Sequence, residues 1–167
     1  MRENKPSLLK NLHQHPQWTA AEFILKKLQG KGFEALLAGG AVRDLLLGLI
    51  PGDLDIATSA KPDDVEALFP HTIAVGKAFG VVRVVHEGHC LEVATYRRDL
   101  ESKDGRRPIG IEFVERAEDA KRRDFTINAL FYDPLSTILY DDVSGQEDLT
   151  KKILRCVGNP FERLQED

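Results

Sequence analysis

The chain has 167 residues, 42% of them hydrophobic and 30% charged, which suits one domain with a single core and excludes a disordered tract. A formal net charge of -4 counts against a protein that coats nucleic acid non-specifically, because that mode needs clustered positive charge. No apolar run reaches membrane-spanning length and the start, MRENKPSLLK, has no signal-peptide core, so the expected setting is a reducing cytoplasm.

Met1 to Gln17 is polar, with two prolines, and is expected to be a loose lead-in; His13 and His15 are metal candidates only weakly, since mobile termini often carry such residues. Thr19 suits an N-cap and Glu22 would complete a capping box, opening a helix that ends at Gly30. Phe33 to Ala38 reads as a short strand. Pro62 suits a first helical turn, where Asp63 and Asp64 complement the helix dipole, and Pro70 ends that helix. Strand signals follow at Thr72 to Val75, Val81 to His86 and Cys90 to Tyr96, with Glu87-Gly88 as a hairpin turn between the last two.

Arg97 to Pro108 (RRDLESKDGRRP) is dense in charge and reads as a mobile loop. Ile109 to Val114 returns to strand alternation, and Glu118 to Leu130 follows a helical pattern. A short strand is expected at Ile138 to Tyr140, a helix capped by Ser144 through Leu149, and a last strand at Ile153 to Val157. Cys90 and Cys156 lie in apolar runs, have no zinc spacing, and are expected to be buried thiols. This divides the chain into a lead-in and helix (residues 1–32), a main domain (33–157) and the start of a further helix (158–167). That last helix stops almost as it begins, which suggests a cut chain.

The stretch Leu36 to Thr58, LLAGGAVRDLLLGLIPGDLDIAT, carries most of the chemistry. A strand followed by Gly39-Gly40 and a helix N-terminus lets backbone N–H groups approach an anion closely. Arg43, in the first helical turn, adds a charge suited to phosphate. The alternative is a tight strand-to-helix turn with no ligand. Asp53 and Asp55 are two residues apart in a strand-like run, so both carboxylates point one way. Two such groups repel unless a cation sits between them, which makes a divalent metal, magnesium above all, the first hypothesis. No further acids continue the pattern as a calcium loop.

Glu92, in LEVATY, is either a third acid for that site or a solvent-facing side chain on an edge strand. Lys121-Arg122-Arg123-Asp124 enters the expected helix as a basic run. It is either a solvated face or a contact for a triphosphate, with Asp124 steering Arg123 or reaching a ribose hydroxyl.

The ordered set GGAVRDLLLG, DLDIAT, EVATYR, DGRRP, RRDFTINAL and GNPFERLQED resembles the class II tRNA nucleotidyltransferase and bacterial poly(A) polymerase family, from about Leu36 to Asp167. The resemblance implies an α+β nucleotidyltransferase head fold, a small mainly antiparallel or mixed sheet flanked by helices. It implies magnesium-dependent, template-independent transfer of CMP or AMP from CTP or ATP to an RNA 3′ end, most plausibly that of tRNA. Asp53 and Asp55 match the family's metal pair and Gly40 and Arg43 its nucleotide contacts. Arg123 matches a nucleotide-binding arginine, Asp124 the acid beside it, and Arg97 to Pro108 the flexible loop. Glu166-Asp167 matches the opening of a helix whose next arginine helps choose the base. That arginine and the helical neck, body and tail are not in the chain, so a monomeric piece with weak or no RNA extension is expected. Poly(A) tailing, a non-catalytic nucleotide-binding head, and nucleotidyl transfer to a small molecule or protein are the competing readings.

Overall fold

A computed structural model describes residues 5–74, 76–100 and 110–159. Residues 1–4, Val75, residues 101–109 and residues 160–167 lie outside it, and with them most of the expected Arg97–Pro108 loop and the Glu166-Asp167 motif.

Two helices precede the first strand, because the lead-in is folded. Helix α1 (Lys5–His13) buries Leu8 and Leu12, and α2 (Trp18–Gly30) buries Ile24, Leu25 and Leu28 in the same core. The expected loose N-terminus is thus corrected: its leucines repeat at helical spacing and find an apolar surface to cover. The expected capping box is corrected too. Gln17 holds the N-cap position without a side-chain cap bond, Thr19 lies inside the helix, and Glu22 pairs with Lys26 one turn on.

Strand β1 (Ala35–Ala38) is buried along its whole length. Then follow α3 (Gly40–Leu46), β2 (Ile56–Thr58), α4 (Pro62–Leu68), β3 (Thr72–Ile73), β4 (Val81–His86) and β5 (His89–Thr95). After them come β6 (Arg97–Leu100), β7 (Gly110–Phe113), α5 (Arg116–Lys121), β8 (Leu130–Asp133), β9 (Ile138–Asp141) and α6 (Gly145–Lys151). The main sheet runs β3-β4-β5-β2-β1-β8-β9, and β6 pairs with β7 in a separate ribbon. Among the described strands β2 and β5 form the one parallel pair, so the sheet is mixed. The Glu87-Gly88 turn is as expected: both residues have positive φ, 47° and 78°, the geometry that matches the twist of a two-residue hairpin.

Side-chain alternation divides the sheet into two faces. Leu37, Ile56, Val82, Val84, Leu91 and Val93 point to the large core under α1–α4. Leu36, Ala38, Ala57 and Phe131 point the other way, to a smaller core with Ala120 of α5 and Tyr96. That second face is covered over β1 and β8, and open over β4 and β5, where Arg83 and Glu92 are exposed.

Several expectations fail after β5. Arg97–Leu100 is strand, not loop: Arg98 pairs with Glu112 across β6–β7, and backbone pairing runs the length of both strands. The helix expected over Glu118 to Leu130 stops at Lys121. The Asp124 carboxylate takes the Phe125 N–H locally (2.6 Å), and the Thr126 N–H goes to Arg155 O, so the backbone leaves the helical ladder. Leu130 instead begins β8, a strand buried at all four positions and unforeseen from sequence. Residues 153–157 form no strand but a single bridge, Phe125 to Cys156. Ser144 does hold the N-cap position of α6, yet with φ 63° and no side-chain bond; the Asp141 carboxylate receives the Gly145 and Gln146 N–H groups instead (2.8 and 2.9 Å). Gly145 is required by close approach, since a Cβ there would stand 2.2 Å from Thr126 O. Cys90 is exposed and Cys156 half-buried, both as free thiols, which corrects the expectation that they are buried. No helix among the described residues is long and apolar enough to cross a membrane.

Candidate functional site

The turn between β1 and α3 needs glycine. Gly39 has φ 69° and ψ −135°, a conformation a side chain disfavours, and a Cβ on it would lie 3.3 Å from Arg123 Nη1. Its N–H donates to Leu130 O of β8, and its carbonyl accepts the Val42 and Arg43 N–H groups that open α3. The two glycines and Arg43 are therefore next to Arg123, which is 84 positions further along than Gly39, as the two residue numbers give (123 − 39).

Arg43 is half-buried and already partnered. Its Nε and Nη2 donate to Asp44 Oδ1 (2.9 and 2.8 Å), and its Nη1 donates to Asn128 Oδ1 (2.7 Å). It is held in place rather than extended toward solvent. Arg123 is held as firmly: Nε and Nη2 donate to Asp119 Oδ2 (3.2 and 3.0 Å), Nη1 to Asn128 O, and the guanidinium lies 4.8 Å from the Phe131 ring centre. The other oxygen of Asp119 takes the Arg122 Nε–H and the Arg97 N–H, both at 2.9 Å. Asp119 is 1% exposed, and a carboxylate so buried is tolerable because every lone-pair direction faces a donor.

Asp124 does not steer Arg123, as the sequence reading allowed. It is exposed and accepts from the Phe125 N–H and from Asn128 Nδ2 (3.3 Å), while Asp119 does the steering. Sequence reasoning missed Asp119 and Asn128. Asp119 had a signal: it stands three and four residues before Arg122 and Arg123, the spacing of helical ion pairs.

Asp53 and Asp55 sit just before β2, with Leu54 turned into the core between them at 2% exposure and both acids exposed on the other side. The expected alternation holds. The Ala38 N–H donates to Asp55 O (3.1 Å), which ties this segment to the end of β1. The lead-in also braces it. His15 Nδ1 accepts the Gln17 N–H, so its Nε2 carries the proton and donates to Gly52 O (3.2 Å), and Gln17 Oε1 accepts the Leu54 N–H. His15 is thus a buried bracket for the Pro51-Gly52 turn and not a metal ligand.

The parallel register Ile56 to Val93 sets Asp55 beside Glu92 on the same sheet face. Although Asp55 as a residue is exposed, partial withdrawal of its carboxyl from solvent at the foot of the cleft pushes it up, the nearby charges of Glu92 and Asp53 push it further, and Arg123 opposes them. Glu92 belongs to an interior strand, not an edge strand, and it faces the open half of the sheet. Arg83, directly opposite on β4, donates to it through Nε and Nη2 (3.1 and 2.8 Å, both to Oε1). These groups line a cleft of about 400 Å³ with Gln17 and Cys90. Among the described residues no three His, Cys, Asp or Glu side chains already stand in a ligand cluster. The donor set nevertheless fits a hard cation. It is all carboxylate, gathered on one face, and no salt bridge reaches Asp53 or Asp55 among the described residues.

A mixed sheet with paired aspartates at the start of one strand, and a glycine turn and two anchored arginines beside them, is the head fold of a nucleotidyltransferase. Residues 35–155 match the poly A polymerase head domain family, and the chain belongs to it. The chain is 50% identical over 153 residues to a CCA-adding enzyme of Geobacillus thermodenitrificans and 47% identical over 145 residues to one of Staphylococcus aureus, covering 91% and 86% of itself. It spans 38% and 36% of those relatives. Among solved structures, the CCA-adding enzyme of Bacillus stearothermophilus in complex with CTP superposes with a TM-score of 0.80 at 44% identity, over 92% of this chain and 37% of that one. A tRNA nucleotidyltransferase complexed with a primer tRNA and an incoming ATP analog superposes with a TM-score of 0.64 at 28% identity, over 81% of this chain and 39% of that one.

Proposed function

We propose that this chain is the catalytic head of a metal-dependent, template-independent RNA nucleotidyltransferase, transferring CMP or AMP from CTP or ATP to an RNA 3′ end with release of pyrophosphate. The observation that carries the reading is the gathering of Asp53, Asp55 and Glu92 on one open sheet face, with Arg123 close enough to oppose the charge of Asp55. Asp53 and Asp55 hold the divalent ion, magnesium in this reading; the ion would lower the pKa of the attacking hydroxyl and neutralise charge on the triphosphate. Gly39 and Gly40 let the backbone approach the triphosphate, and Arg43 and Arg123 face it with guanidinium groups whose orientation is already set by Asp44, Asn128 and Asp119. Asp124, exposed one residue after Arg123, would accept a hydrogen bond from a ribose hydroxyl in this reading. Glu92 completes the acidic face beside Asp55.

The named relatives favour tRNA as the RNA, with CCA or A addition ahead of poly(A) tailing. Two free thiols support a reducing, cytoplasmic setting. The test is magnesium-dependent binding of CTP and ATP to the chain, compared with Asp53→Asn. Binding that survives both the substitution and removal of magnesium overturns the metal site. Extension of tRNA lacking CCA, tRNA ending in CC, and an unstructured RNA then settles the substrate; equal use of all three overturns the tRNA preference.

A further inference from the structure

Glu92 has two competing neighbours. On one side Asp55 follows the parallel β2 and shares its face; on the other, Arg83 sits in register on the antiparallel β4. In the structure Arg83 wins, with two donor atoms on one carboxylate oxygen. The Arg83 and Glu92 side chains are 44% and 48% exposed, so the pair is solvated and screened, a bond that a stronger cation can displace. The third carboxylate is thus present on the face but engaged across the strand.

We propose that Arg83 is a positioning residue for the metal site, an internal counter-cation that holds Glu92 on β4 in the metal-free protein and yields it when the divalent ion binds Asp53 and Asp55. The inference rests on the metal reading above. Arg83 offsets the repulsion of three acids on one face while no ion is present, at the cost of competing with the ion for one of them. It touches the site through Glu92 alone and has no bond to Asp53 or Asp55 among the described residues.

Manganese, which gives a direct spectroscopic signal when free, is the probe. Its binding is titrated by electron paramagnetic resonance on the parent, Arg83→Gln, Glu92→Gln, the double variant and Asp53→Asn, each checked for folding by circular dichroism. Breaking the competing ion pair is expected to tighten manganese binding in Arg83→Gln by roughly two- to fivefold. Glu92→Gln is expected to weaken binding, and the double variant to match Glu92→Gln. Arg83→Lys, which keeps the charge but loses the fork, should fall between parent and Arg83→Gln. Unchanged or weaker binding in Arg83→Gln overturns the proposal. So does a tightening that persists in the Glu92→Gln background, since that would be a field effect of the lost charge. If Asp53→Asn binds manganese as the parent does, the metal site itself fails and the role of Arg83 fails with it.

Discussion

The guanidinium of Arg123 stands where a side chain on Gly39 would have to grow, with Nη1 3.3 Å from the position of that missing Cβ. The contact joins the two segments that the sequence presents as separate motifs. Gly39→Ala would meet it while also forcing φ 69° on a residue with a Cβ, so a loss of about 1–3 kcal/mol in stability is expected from urea denaturation. CTP affinity should fall as well, because Arg123 must move. Parental stability in the variant would show that the turn relaxes freely.

Asp119 holds Arg122, Arg123 and the Arg97 N–H from a position closed to solvent. Asp119→Ala takes the shared partner from two half-buried cations and is expected to cost about 2–3 kcal/mol in denaturant. The milder Asp119→Asn should keep the fold and still weaken nucleotide binding, although Asp119 is itself one step removed from the nucleotide. Unaltered affinity in a folded Asp119→Asn protein would mean that Arg123 finds its place unaided.

His15 braces the aspartate segment from the N-terminal side. Removing both of its bonds in His15→Ala is expected to cost about 1–3 kcal/mol, and amide exchange at Leu54 should quicken more than exchange in β1. Equal acceleration at both places would point to general loosening instead.

Asp148 connects α6 to the RRDFTINAL segment. Its carboxyl is held below the ordinary carboxylate range by hydrogen bonds, first from Arg155 and then from Thr126. A folded-state pKa below the unfolded one contributes stability above roughly pH 4, and that contribution fades as pH falls through the folded value. The difference in melting temperature between parent and Asp148→Asn is therefore expected to be largest near neutrality and to shrink on acidification. A difference that grew toward low pH would reverse the sign argued here.

What was legible in the chain was what local chemistry decides. The Glu87-Gly88 hairpin, the glycine turn after β1 and the shared face of Asp53 and Asp55 each depend on two or three neighbouring residues. The exposure of Cys90 follows from the same alternation: it stands two residues from Glu92 and shares that exposed face. Residues 126–130 were not legible. TINAL carries a helical pattern, but its backbone donors find Arg155 O and neighbouring turns, and Leu130 finds a place between β1 and β9. Arg155 and β1 lie far away in sequence, and propensity carries no information about them.

By itself, then, the order of residues determined which groups are candidates for the chemistry, because acids two apart on extended backbone and glycines between strand and helix have few other arrangements. Only the tertiary structure decided which groups meet. Asp119 orients Arg123, Asn128 links it to Arg43, and the parallel register of β2 and β5 brings Glu92 beside Asp55 while Arg83 draws it away. Each of these depends on strand pairing and packing between distant segments, where the free energy of burial, and not local preference, selects the partner.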